Sequence, residues 1–324
     1  MVSRATVLAL AVGVTGLGLA SAATPQCTSP EVVVCLDFAG HQTPENIVQE
    51  PDGSFDVTFS LAQQVARIGS DGQVKVLADM TEKGSTGSRT PLLHVPVTMG
   101  LTRAEDGTLY FLYADAEPVP GGTADRTGVY RLRPDAAEPE LVARLPAESL
   151  PNGLALDGRS GALYFSDSAL GRVWTVPAAG GEPAVFADDG TLKADGFAAN
   201  GLKLRDGAVW VSNSVQGTIV RIPVLGGNRG GHPQVRATGL PTVDDFAFTG
   251  HGDELLAALA GRDEVVLVHP QGHPDGSSTV VRRGDGLQTP TSPVISGGTA
   301  YVASAAYYTK AGPDILPVAL DAKR

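Results

Sequence analysis

Short runs rich in β-branched, aromatic and aliphatic residues, punctuated by Gly, Pro, Asp and Asn, follow one another along the chain. This is the pattern of strands joined by turns. The clearest stretch is Asn152-Gly-Leu-Ala-Leu-Asp157, then Ala162-Leu-Tyr-Phe-Ser-Asp-Ser168, Gly171-Arg-Val-Trp-Thr-Val-Pro177 and Pro183-Ala-Val-Phe-Ala187. It reads as four strands of one unit, and the unit repeats. Asn200-Gly-Leu-Lys-Leu and Met99-Gly-Leu-Thr-Arg open close copies, and weaker ones open at Glu45-Asn-Ile-Val, Asp244-Asp-Phe-Ala-Phe and Thr291-Ser-Pro-Val-Ile. The openings lie 44 to 54 residues apart, the period of propeller blades. The pattern therefore predicts an all-β, six-bladed β-propeller.

The sixth copy is one strand short, ending after Thr299-Ala-Tyr-Val-Ala-Ser304 and Ile315-Leu-Pro-Val-Ala-Leu320. Glu31-Val-Val-Val-Cys-Leu-Asp-Phe38 is the candidate for the missing one. Paired into the last blade, this N-terminal strand would close the ring and leave no unpaired edge.

Length alone would allow two domains, but a repeat running from end to end argues for one propeller domain over 23–324. Met1-Val-Ser-Arg4, the apolar run Ala5 to Leu19 and the small residues Ala20-Ser-Ala22 have the three parts of a secretory signal, so 1–22 is expected to be removed and the protein secreted, with no membrane attachment afterwards. Export favours the joining of the two cysteines, Cys27 and Cys35, with free buried thiols as the alternative. A formal charge of −11 without a basic run argues against a nucleic-acid partner. A monomer acting on a small molecule is the expectation.

In a propeller the first strand of each blade lines the central channel. The equivalent residues Glu45, Met99, Asn152, Asn200, Asp244 and Thr291 should therefore face one another. Glu45, Asn152, Asn200 and Asp244 form a set of hard oxygen ligands suited to Ca²⁺ or another divalent cation. Zinc would want His or Cys. Asn-Gly is also a common turn dipeptide, so each asparagine alone could merely shape a turn. Glu45 and Asp244 hold the same repeat position without that turn chemistry, and carboxylates facing each other on one axis repel unless a cation separates them.

The order Glu, Asn, Asn, Asp at successive blade starts, with Asn152-Gly-Leu and Leu163-Tyr-Phe-Ser-Asp-Ser168 in one copy, resembles the senescence marker protein/gluconolactonase family and its relatives, the paraoxonases and diisopropylfluorophosphatase. The likeness spans 44–310. It implies a catalytic channel cation held by Glu45, Asn152, Asn200 and Asp244, Asp245 as a further or supporting carboxylate, and hydrolysis of lactones, esters or organophosphates. Pro44-Glu-Asn-Ile47 and Asp244-Asp-Phe-Ala-Phe248 also look like gluconolactonase-like repeat proteins with no assigned substrate. One departure is Met99, where paraoxonase-like enzymes carry a histidine. His94, five residues upstream, could reach over the channel mouth. Otherwise Asp244 or Asp245 would act as general base.

Other apparent motifs fail. Pro270 and Gly272 separate His269 from His273 and forbid a shared helical face. Gly226-Gly-Asn-Arg-Gly-Gly231 has no following helix or lysine to make a phosphate loop and reads as a flexible connection. Gly158-Arg-Ser-Gly161 lacks nucleophile-elbow spacing. The sequence thus predicts a secreted, Ca²⁺-dependent hydrolase of a lactone or small ester, with specificity in loops 81–98 and 115–127. The alternative is a non-catalytic binding module whose channel cation is structural. A strictosidine-type synthase is weaker, because such enzymes need no ring of metal ligands.

Overall fold

The structure is a computed structural model that describes residues 27, 32–81, 90–115, 126–227, 229–270, 277–284 and 286–320. The expected signal segment 1–22 lies outside the described residues. Six antiparallel sheets form the blades of a β-propeller. From the channel outward, blade 1 comprises Pro44–Gln49, Phe55–Phe59, Gln64–Ile68 and Val74–Asp79. Blade 2 comprises Val97–Arg103, Leu109–Ala114, Gly128–Leu132 and Glu140–Arg144. Blade 3 comprises Pro151–Asp157, Ala162–Asp167, Arg172–Pro177 and Ala184–Ala187, within a residue of the four runs read in the sequence. Blade 4 comprises Ala199–Arg205, Ala208–Asn213, Thr218–Leu225 and Gln234–Ala237. Blade 5 comprises Val243–Phe248, Leu255–Leu259, Glu264–His269 and Ser277–Arg283. Among the described residues only Gly190–Leu192 and Ala260–Arg262 are helical, each a single 3₁₀ turn.

Blade 6 takes Pro290–Ser296, Thr299–Ser304 and Asp314–Ala319 from the C-terminal part of the chain and Val34–Cys35 from the N-terminal part. Val34 lies opposite Ile315 and Cys35 opposite Asp314. The backbone N–H of Val33 and of Leu36 extend the pairing to the carbonyls of Ile315 and Pro313, both at 2.8 Å. The closing strand is therefore shorter than the run 31–38. A Cys27–Cys35 disulfide ties it to the preceding chain.

Both faces of every blade must be apolar, because each faces a neighbour. Six separate apolar cores result, one between each pair of adjacent blades. The core between blades 6 and 1 contains Val34 and Leu36 with Ile47, Phe55, Phe59 and Ile315. Closure thus rests on side-chain packing as well as on backbone pairing. A fully buried Phe or Ile contributes roughly 1.5–3 kcal/mol.

Two short motifs differ from their sequence reading. The glycine-rich 226–231 segment is not merely a flexible connection: Arg229–Gly230 pairs with Leu225 and Val224. A Cβ at Gly230 would lie 2.4 Å from the Phe186 carbonyl oxygen, so only glycine fits against blade 3. His269 ends a strand of blade 5 instead of lying in a turn, while His273 falls outside the described residues.

Strand direction decides which loops share a face. Each inner strand begins on the face that also carries the loop between strands two and three and the connection from the preceding blade. The site residues at the inner-strand starts therefore open on the face bearing connection 188–198, loop 305–313 and the described ends of segments 80–96 and 115–127. Residues 82–89 and 116–125 of these lie outside the described set.

One buried group at the closure is sensitive to pH. Asp314, opposite Cys35, is fully buried, and neither carboxylate oxygen has a hydrogen-bond partner among the described residues. Burial pushes it from an ordinary 3.8 up to about 7, and the nearby Ser304 hydroxyl and Arg282 charge offset this only in part. A raised folded-state value means that its contribution to stability is intact below about pH 4 and is lost as pH rises through 7. We expect the melting temperature of Asp314→Asn, relative to wild type, to rise between pH 4 and pH 8. A difference that is constant with pH would contradict this account.

Candidate metal-binding channel

The same irregularity recurs at the start of every inner strand. Pairing between the first and second strands slips between Pro44 and Asn46, Thr98 and Leu101, Pro151 and Leu154, Ala199 and Leu202, Val243 and Phe246, and Pro290 and Pro293. A bulge releases residues from the ladder and re-aims their side chains. All six predicted ring residues, Glu45, Met99, Asn152, Asn200, Asp244 and Thr291, sit at these slips.

The position after each ring residue divides the ring in two. In blades 2 to 4 it is Gly100, Gly153 or Gly201. A Cβ at Gly100 would stand 2.2 Å from the Asn152 carbonyl oxygen, one at Gly153 2.5 Å from that of Asn200, and one at Gly201 2.8 Å from that of Asp244. The glycines let neighbouring inner strands pass backbone against backbone. They lie in strands, outside the left-handed region, so the Asn-Gly pairs are not turns.

In blades 5, 6 and 1 the same position holds Asp245, Ser292 and Asn46, which bond to one another. Asp245 Oδ2 accepts from Ser292 Oγ at 2.7 Å and Asn46 Nδ2 at 3.2 Å. Lys203 of blade 4 adds an ion pair at 2.5 Å. Asp245 Oδ1 has no partner among the described residues.

The two asparagines are oriented by serines that immediately follow the second strands. Ser168 Oγ donates to the Ala199 carbonyl at 2.8 Å, so it must accept from Asn152 Nδ2, 3.1 Å away. Ser214 Oγ likewise donates to the Val243 carbonyl at 2.5 Å and accepts from Asn200 Nδ2 at 2.8 Å. A hydroxyl has one proton, so these chains assign the amide nitrogens and leave each amide oxygen available as an acceptor. Asn200 Oδ1 is buried without a partner among the described residues. An unsatisfied buried acceptor costs about 1–3 kcal/mol.

The carboxylates show the same deficit. Glu45 is buried and accepts from Tyr307 Oη at 2.6 Å. Burial pushes it up to about 7, against the Tyr307 hydrogen bond and with the Asp245 charge adding to the rise. Asp244, half-buried, is driven well above its ordinary range by desolvation, then by the charges of Glu45 and Asp245, while Asn200 and Lys203 pull the other way. Burial and Glu45 likewise raise Tyr307, keeping its phenol neutral.

The donor set therefore fits a divalent cation: two carboxylates disfavoured as anions, two amides held by their nitrogens, and one buried amide oxygen lacking a donor. Among the described residues no three His, Cys, Asp or Glu side chains gather as a metal group, which accords with a set that is half carboxamide. Met99 and Thr291 close the ring without joining the set. Met99 is buried with Ser60 Oγ 3.6 Å from its sulfur, and Thr291 Oγ donates to the Pro44 carbonyl at 2.9 Å. His94 is exposed in the connection to blade 2 with left-handed backbone, and no interaction of Glu45, Asp244 or Tyr307 reaches it.

Sequence reasoning missed Tyr307, Lys203, Ser292 and the two serines. The serines carried a signal, since Ser-Asp-Ser168 and Ser-Asn-Ser214 align in their repeats. Tyr307 carried none, because it lies in the long loop 305–313 of blade 6, for which the four-residue loops at the same place in blades 1, 3, 4 and 5 offer no counterpart.

No protein-family model and no curated protein matches the chain. Solved structures do. A nutrient-binding protein described as auxiliary, from Bacteroides thetaiotaomicron, superposes with a TM-score of 0.62 at 11% identity, covering 89% of this chain and 76% of that one. A catalytically inactive virginiamycin B lyase from Staphylococcus aureus, solved with quinupristin, has a TM-score of 0.56 at 16% identity over 88% and 98%. A chain of a nidogen/laminin complex has a TM-score of 0.54 at 17% identity over 76% and 83%. The protein is thus a six-bladed β-propeller by fold, with a lyase and a nutrient-binding protein among its structural neighbours.

If a cation competes with protons for Glu45 and Asp244, its affinity rises with pH through about 7. We expect Ca²⁺ to raise the melting temperature of the wild type, by more at pH 8 than at pH 6. The increment should shrink in Glu45→Gln and in Asp244→Asn. An equal increment in all three proteins would show that the cation binds elsewhere.

Proposed function

We propose that the protein is a divalent-cation-dependent hydrolase of a lactone or small ester, using Glu45, Asn152, Asn200 and Asp244 to hold Ca²⁺ or a similar ion. The observation that carries the reading is the pair of channel carboxylates, Glu45 and Asp244, both disfavoured as anions and set beside two tethered carboxamides. A bound cation would polarise a substrate carbonyl and favour the charge that develops on its oxygen.

The chain's own residues supply the remaining parts. Asp244 is the general base: of the two ring carboxylates it is the one that keeps partial exposure, and it would stand beside the ion that holds the substrate carbonyl. Asp245, engaged by Lys203, Ser292 and Asn46, positions Asp244 instead of taking the proton. Tyr307 stays protonated and donates its one proton to Glu45, which fixes that carboxylate in the ring. His94 is left outside this set. The likeness to the gluconolactonase and paraoxonase relatives supports the same class, and the Cys27–Cys35 disulfide is compatible with secretion.

The test is a panel of lactones and esters assayed with and without chelator. We expect turnover to vanish with chelator, return with Ca²⁺, and fall by roughly 10²–10⁴-fold in Asp244→Asn. Met99→His should raise ester or lactone cleavage if an imidazole at that wall is what the chain lacks. No cation-dependent turnover in the wild type, together with tight Ca²⁺ binding, would replace the hydrolase with a binding module built around a structural ion.

A further inference from the structure

The face opposite the channel mouth carries a second cavity, of about 450 Å³, between blades 1 and 2. Its base comes from the far ends of the two inner strands, where Glu50 follows Pro44–Gln49 and Arg103 ends Val97–Arg103. Glu45 and Glu50 lie at opposite ends of one strand, roughly 15 Å apart at the usual rise per residue. The two cavities are therefore separate.

Hydrogen-bond accounting shows what the cleft lacks. Glu50 spends one carboxylate oxygen on Arg67 Nη2 and the other on Arg103 Nε, both at 2.8 Å. Asp56 spends both of its oxygens on Arg67, at 2.7 and 2.8 Å. Asp106 turns back on its own loop, accepting from the Thr108 backbone at 2.9 Å. Both oxygens of Glu50 and of Asp56 are thus engaged by guanidinium groups, and donors remain. Arg67 retains Nη1, Arg103 retains Nη2, and the Lys75 ammonium has no partner among the described residues, while Arg133 at the rim is paired with Glu140 at 2.6 Å. A cavity with surplus cationic donors takes an anionic acceptor. This surplus arises in a chain whose net charge is −11.

The walls determine the rest of the ligand. Leu77, Leu109, Leu132 and Pro134 line the cavity, and Val76 stands 45% exposed at its edge. A bare inorganic ion would leave that apolar surface wet, whereas an apolar body attached to a planar anion would cover it. Guanidinium forks match a carboxylate in geometry.

We propose that this cleft binds a small organic carboxylate, its head among Lys75, Arg67 and Arg103 and its apolar body against Leu77, Leu132 and Pro134. The inference stands apart from the reading of the channel. The test is calorimetric titration with hexanoate in the presence of EDTA, so that a channel cation takes no part. Hexanol and inorganic phosphate serve as single-feature controls. Lys75→Ala and Val76→Asp alter exposed positions, and Lys75→Ala removes the ammonium opposite Arg67 without adding a carboxylate that the ion network could recruit.

We expect saturable single-site binding of hexanoate to the wild type, weakened about tenfold or more in each variant, with both controls binding more weakly. Absence of saturable binding by the wild type would overturn the proposal. So would an affinity unchanged in both variants, or a control that binds as tightly as hexanoate.

Discussion

Six inner strands can share one axis only if their backbones approach closely where they enter the channel, and the bulge at each inner-strand start is how this chain meets that constraint. At these bulges the ladder slips, a side chain is freed towards the channel, and the next residue must fit against the neighbouring strand. Where that residue is Gly100, Gly153 or Gly201, carbonyl oxygens of the adjacent blade occupy the space a Cβ would need. Where it is Asp245, Ser292 or Asn46, hydrogen bonds take the place of close packing. One device repeated around the ring therefore builds the channel wall and sets the positions from which ligands can project.

The ring is symmetric in backbone and asymmetric in chemistry. Blades 1 and 5 bring carboxylates, blades 3 and 4 bring carboxamides, and blades 2 and 6 bring Met99 and Thr291, neither part of the donor set. The carboxylates are poorly solvated, and no arginine reaches Glu45 or Asp244 to offset their charge. Among the described residues the ammonium that acts on Asp244 is that of Lys203, and it is bonded to Asp245. On the opposite face the logic is reversed, for Glu50 and Asp56 are surrounded by guanidinium groups. One end of the propeller is short of positive charge and the other has donors to spare. That contrast underlies both functional proposals.

Much of this was legible in the sequence because repetition supplies its own alignment. The blade period, the strands of blade 3, the ring position and the closing strand all follow from matching copies against one another, and Val34–Cys35 completes blade 6 as the missing strand required. What escaped was whatever the repeat does not encode. Tyr307 lies in a loop extension that most blades lack, and Lys203 occupies an ordinary strand position whose partner, Asp245, belongs to another blade. The Asn-Gly pairs were ambiguous for a physical reason: glycine serves both tight turns and close backbone contacts, and only the neighbouring strand shows which of the two applies. The Gly226–Gly231 run was misread on the same ground.

The central claim is that the channel ring holds a divalent cation, and Tyr307 offers a direct way to examine it. Its phenol donates to Glu45, so a Tb³⁺ ion substituted into the ring would lie close to an aromatic side chain able to sensitise its luminescence. Titration with Tb³⁺ should give saturable, tyrosine-excited emission that Ca²⁺ displaces, that Tyr307→Phe weakens, and that Glu45→Gln and Asp244→Asn abolish. Emission that is absent from the wild type, or is indifferent to Glu45→Gln and Asp244→Asn, would contradict a cation in the ring.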